Sequence, residues 1–83
     1  MDIQIGKITH FYDHIGVGVV VVSNELKVGD TIRVLGDETE FTQVVTSMEI
    51  EHEKVQSVGK GTEVAIKLMG PARKGDFIYK VVE

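Results

Sequence analysis

The chain has 83 residues, of which 42% are hydrophobic and 27% charged, with no cysteine and a formal net charge of −4. Those figures predict a single globular domain over 1–83 and exclude a disulfide-stapled scaffold. The longest apolar run, Ile15 to Val22, is interrupted by Gly16 and Gly18 and falls far short of the roughly 20 residues a membrane helix needs.

A domain of this size buries only about 60–65% of the surface its unfolded chain exposes, so its stability margin is thin. The first residues, Met1-Asp2-Ile3-Gln4-Ile5-Gly6-Lys7, have neither a basic n-region nor an apolar h-region, which predicts no secretory signal. Together with the missing cysteines this predicts a reducing, cytoplasmic setting without membrane contact.

In chain order, Ile3 to Tyr12 is the first predicted strand. Ile3 and Ile5 share one parity and Ile8, His10 and Tyr12 the other, so a bulge near Gly6 is needed to bring both sets to the core. Asp13-His14 is a turn. Ile15 to Ser23 is almost continuously apolar, the pattern of a strand covered on both faces. Val17, Val19, Val20, Val21 and Val22 are therefore interface candidates for a partner protein or a homo-oligomer. Ser23 to Leu26 is a loop. Thr31 to Leu35 is a strand with Ile32 and Val34 inside and Arg33 outside. Glu40 to Glu51 is expected as one long strand with Val44, Thr46, Met48 and Ile50 on one face. Glu53 to Gly61 is a short extended piece followed by a corner. Thr62 to Met69 alternates, with Val64, Ile66 and Leu68 inside. The loop at Pro71 separates it from a last strand of Phe77, Tyr79 and Val81.

One design recurs. Leu26-Lys27-Val28-Gly29-Asp30-Thr31-Ile32 is a glycine-acid corner feeding an alternating strand, and it returns at Lys60-Gly61-Thr62-Glu63-Val64 and at Lys74-Gly75-Asp76-Phe77. Short strands with regular corners and no sustained helical period predict an all-β fold. Closure into a barrel removes the edges that valine-rich strands would expose.

The ordered set Gly6-Lys7-Ile8, Gly16-Val17-Gly18-Val19-Val20, Leu26 to Ile32, Val45 to Ile50, Gly61 to Ile66 and Lys74-Gly75-Asp76 resembles domain II of the translational GTPases, the elongation factor Tu family, from about Ile5 to Val81. That resemblance implies a closed six-stranded Greek-key β-barrel, in freestanding form. The C-terminal barrel of the U32 peptidase family shares this look. No Gly-x-x-x-x-Gly-Lys-Ser/Thr loop occurs, so GTP binding does not follow. In the family the barrel holds the terminal adenosine of aminoacyl-tRNA. The matching pocket positions here are Met48, Ile50, Glu51-His52, Glu63 and Lys67, which remove a stacking platform and add negative charge.

The charge is uneven. Asp37 to Glu53 holds six acids and no Lys or Arg, whereas Lys54, Lys60, Lys67, Arg73, Lys74 and Lys80 face only Glu63 and Asp76 over the rest of the chain to Lys80. Those six basic residues are the RNA-binding candidates, through phosphate contacts. The leading expectation is a non-catalytic, translation-factor-like module contacting tRNA, rRNA or a ribonucleoprotein. A protein-interaction or self-assembly barrel without nucleic acid is the alternative, and a flavin or nucleotide pocket is a third class supported only by fold analogy. No catalytic residue, metal or cofactor is predicted. His10 and His14 on one strand face lie about 13 Å apart, too far for one ion, and Gly16-Val17-Gly18 lacks the third glycine of a dinucleotide loop.

Overall fold

The computed structural model describes residues 2–82. Ten strands follow one another: β1 (Asp2–Tyr12), β2 (Val17–Val22), β3 (Leu26–Lys27), β4 (Thr31–Leu35), β5 (Glu40–Val44), β6 (Met48–Ile50), β7 (Glu53–Val55), β8 (Ser57–Val58), β9 (Glu63–Lys67) and β10 (Phe77–Val81). Eight of them form one antiparallel sheet in the order β5-β4-β10-β1-β2-β9-β6-β7, and β3 pairs with β8 as a separate ribbon. The all-β expectation holds.

The expected closed six-stranded Greek-key barrel does not. No ladder among the described residues joins β5 to β7, so the sheet is open in its backbone pairing. Its inner face still encloses one apolar cluster. Ile5 and Ile8 of β1, Val20 and Val22 of β2, Ile32 and Val34 of β4, Met48 of β6, Val64 and Ile66 of β9 and Ile78 of β10 are all buried there, joined by Leu26 and Val58 of the ribbon.

The strands form where β-branched residues alternate with polar ones, and three details of register set which residues face out. First, β1 carries two bulges. Pairing with β10 shifts between Gln4 and Gly6, where the parity change predicted a bulge, and it turns Ile5 and Ile8 inward together while Ile3, expected inside with Ile5, stays exposed. A second shift, between Ile8 and His10 against β2, flips the facing again. His10 and Tyr12 therefore point outward and Phe11 packs on the core.

Second, the single long strand expected over Glu40 to Glu51 is broken. Val45 exchanges both backbone bonds with the preceding corner, its N–H donating to the Asp30 carbonyl at 2.8 Å and its carbonyl accepting from Gly29 at 2.9 Å. The facing parity changes there. Gln43, Val45 and Met48 are buried while Val44 is 48% exposed, the reverse of the expected Val44 face. Third, the core position of β10 belongs to Ile78, and Phe77 and Tyr79 lie on the outer side.

The recurrent corners are built alike. In Lys27 to Asp30 the Asp30 N–H donates to the Lys27 carbonyl at 3.1 Å, and the Asp30 carboxylate accepts the Lys27 N–H at 2.9 Å. In Arg73 to Asp76 the same two bonds measure 3.0 and 2.9 Å. Gly29 and Gly75 stand at φ 100° and 97°, the third position of a type II turn, where a Cβ is disfavoured. No helix among the described residues is long and apolar enough to cross a membrane.

Candidate functional site

The outer faces of β2, β9 and β6 form a lattice whose rows follow from pairing. Val19 lies opposite Ala65, and Ala65 opposite Glu49. Val17 lies opposite Lys67 and Val21 opposite Glu63. Alternation sends the neighbours Val20, Val64, Ile66 and Met48 inward to the core. One face of these strands is thus structural, and the other is an apolar floor of Val17, Val19 and Ala65 with charge around it.

Two hairpins raise walls beside this floor. The β1–β2 turn carries Tyr12, 47% exposed, and Ile15, 58% exposed. The β6–β7 hairpin turns in two residues, Glu51 and His52, both at positive φ, 50° and 68°. Two successive residues of that sign make the turn that suits the right-handed twist of a hairpin, where Asn-Gly is the usual pair. Floor and walls enclose a cleft of about 600 Å³ lined also by Ser47, Glu49, Glu63 and Lys67.

Its charge is mostly negative. Lys54 of β7 lies directly across the ladder from Glu49, and within the cleft Glu49, Glu51 and Glu63 face a single ammonium, Lys67. That ammonium is engaged, since Lys67 Nζ donates to the Ile15 carbonyl across the turn. The carboxylates at Glu49, Glu51 and Glu63 form none of the ion pairs among the described residues. The arrangement provides an apolar bed for a short extended ligand and uncompensated acceptors for a cation or for N–H donors.

The six basic candidates do not converge. Arg73 is held by Glu38 at 2.6 Å, and Lys80 by Asp30 at 3.3 Å. Lys67 lies in the acidic cleft. Lys54 sits on β7, Lys60 in the turn before β9 and Lys74 in the corner before β10, each exposed. Of the interface candidates, Val20 and Val22 are core residues, Val17 and Val19 are half-buried in the cleft floor, and Val21 is 40% exposed beside it. His10 rests against Tyr12 with ring centroids 4.2 Å apart. His14 is exposed beside Asp13. No group of three or more metal-binding side chains occurs among the described residues.

The resemblance had put Glu51, His52, Glu63 and Lys67 among its matching pocket positions, and the cleft brings these four together; sequence reasoning missed Glu49 and Ala65 beside them. The signal was present in pieces: an acid run without bases, and a valine strand too apolar for an outer face in water. Only the strand order places those pieces side by side.

No family model matches this chain. Over 82 residues, 98% of the chain, it is 38% identical to the uncharacterized protease MJ0090 of Methanocaldococcus jannaschii, and it spans only 20% of that protein's length. Among solved structures, the C-terminal domain of a Geobacillus thermoleovorans protein assigned to the U32 peptidases superposes with a TM-score of 0.88 at 21% identity, covering 94% of this chain and 91% of that domain. Its selenomethionine variant gives 0.85 at 20% identity, covering 90% and 95%.

These findings correct the elongation-factor resemblance, and with it the expectation of a translation-factor-like, RNA-contacting module in protein synthesis. They equally correct the expectation of a non-catalytic chain that is no enzyme, because a relative 38% identical over 98% of the chain is named a protease. The fold of this chain is that of the C-terminal domain of the Geobacillus protein assigned to the U32 peptidases.

Proposed function

We propose that this chain is the β-domain of a U32-type peptidase system and that its cleft takes up an extended stretch of polypeptide for that protease. The observation that carries this reading is the 38% identity running through 98% of the chain to a segment of a named protease. The cleft supports it. A floor of Val17 and Val19 on β2 and Ala65 on the paired β9 presents apolar side chains at the spacing of an extended chain, whose same-side side chains repeat at about 7 Å.

The test is a titration of the ¹⁵N-labelled chain with an uncharged ten-residue peptide in which valine alternates with glutamine. Amide shifts should concentrate on Val19, Glu49 and Ala65. Ala65→Tyr, which fills the floor with a residue at home in strands, should abolish them. Shifts confined to the β4–β10 face, or none at millimolar peptide, would refute the reading.

A further inference from the structure

From the charge around the cleft we infer the class of polypeptide it selects: an extended segment bearing lysine or arginine next to apolar side chains. This rests on the cleft being a polypeptide site, as proposed above, and goes on to its specificity.

The apolar floor alone would accept any small hydrophobic side chain. The rim discriminates. In the row that crosses the floor, the isopropyl group of Val19, the methyl of Ala65 and the carboxylate of Glu49 stand side by side on neighbouring strands. A side chain that lays its methylenes on Val19 and Ala65 and ends in a cation reaches Glu49, which is how long basic side chains cover apolar surface. Glu51 follows Glu49 by two positions, and Glu63 borders the adjacent row opposite Val21. Acceptors thus surround the floor at several points, so a second basic residue two positions along the ligand also meets a carboxylate.

The neighbouring cations do not pair with them. Lys67 is tied to the Ile15 carbonyl, and Lys54, across the ladder from Glu49, forms no ion pair among the described residues. Elsewhere, carboxylates such as Glu38 and Asp30 have Arg73 and Lys80 as partners; those at the cleft have no such partner among the described residues. An acidic segment here meets three like charges, and juxtaposed like charges suppress wrong partners more strongly than they tune right ones.

Three fluorescein-labelled ten-residue peptides test the inference by anisotropy in low salt, with valine alternating with lysine, glutamine or glutamate. The lysine peptide should bind about tenfold more tightly than the glutamine peptide, the cumulative effect of two or three exposed pairs. The glutamate peptide should bind weakest, and half-molar salt should bring the three together. Glu49→Gln, Glu51→Gln and Glu63→Gln combined, with its fold checked by its melting curve, should erase the order, so that the three peptides bind about equally; a preference for lysine that persists in it overturns the inference. Equal affinity for all three peptides on the native chain overturns the charge selectivity and leaves the polypeptide cleft standing. Loss of all three, including the glutamine peptide, overturns the cleft itself. Ala65→Tyr should abolish binding of every peptide; lysine-peptide binding that survives it places the cation site outside the cleft and also overturns the inference.

Discussion

Gln43 and Met69 are joined across the open side of the sheet: the Gln43 Oε1 accepts the Met69 N–H at 2.7 Å while its Nε2 donates to the Lys67 carbonyl at 2.9 Å. The carboxamide nitrogen carries two hydrogens, and Nε2 also donates to the Val44 carbonyl at 3.3 Å. The carboxamide links β5 to the end of β9, strands that share no ladder, and Gln43 is buried in doing so. The apolar cluster is enclosed there by a side chain in place of a strand.

Replacing Gln43 with leucine removes these bonds and leaves the Met69 N–H and the Lys67 carbonyl without their partner. The expected loss is about 2–4 kcal/mol, from two unmade bonds to partly buried groups, measured as a lower urea midpoint with an unchanged slope. For a small domain whose total stability is of the order of 5 kcal/mol this is most of the margin. A loss below half a kcal/mol would mean that water replaces the carboxamide.

Gly36 and Asp76 make a second, steric prediction. A Cβ built at Gly36 would lie 1.9 Å from Asp76 Oδ1, and Asp76 is buried with its other oxygen accepting the Arg73 N–H. Gly36→Ala should cost about 2–3 kcal/mol, the scale of overpacking. In an Asp76→Ala background the same change should cost much less. The coupling energy from this double-mutant cycle separates the clash from any effect on the loop itself.

At Gly29 and Gly75 the reasoning differs, because an added Cβ meets nothing within 4 Å. Only the backbone conformation, φ near 100° in both, opposes a side chain. Gly29→Ala and Gly75→Ala should each cost about 1–2 kcal/mol, the conformational penalty for an L-residue at positive φ. Equal losses in the two corners, read from thermal melts, would match their common geometry. A negligible loss at both would mean that the corners relax to a different turn.

The Glu51-His52 turn places strain at the candidate site. Neither residue is a glycine or asparagine, yet both hold positive φ. Glu51→Asn with His52→Gly should raise stability by about 1–2 kcal/mol by relieving that strain. The same pair of changes removes one carboxylate from the cleft rim and should weaken the valine-lysine peptide several-fold, consistent with the scale of one exposed ion pair. Stability gained together with affinity lost is the signature of a strained binding element; both unchanged would assign the turn no role.

Much of the architecture was legible in the chain. The corner of Lys27 to Asp30 and its copy at Arg73 to Asp76 announce themselves because a type II turn demands glycine at one position and an aspartate can bond back across it. The inward faces of β4 and β9 follow from strict alternation, and the bulge near Gly6 from a change of parity. His10 and Tyr12 were expected inside with Ile8, and they point outward because a second bulge, between Ile8 and His10, leaves no mark in the pattern of that segment. Gln43 was not seen as a core residue because its two partners, Lys67 and Met69, lie 24 and 26 positions away.

What the sequence by itself determined is local: where the chain turns, which strands alternate, and that no helix, disulfide or P-loop is encoded. These depend on backbone sterics and on spacing within a few residues. Only the tertiary structure decided that the sheet stays open and that Gln43 spans the gap. It likewise decided that Val19, Ala65 and Glu49 form one row while the basic residues scatter. Such neighbourhoods are set by strand order and register, which place residues from distant segments about 5 Å apart, and no local pattern records which strand will lie beside which.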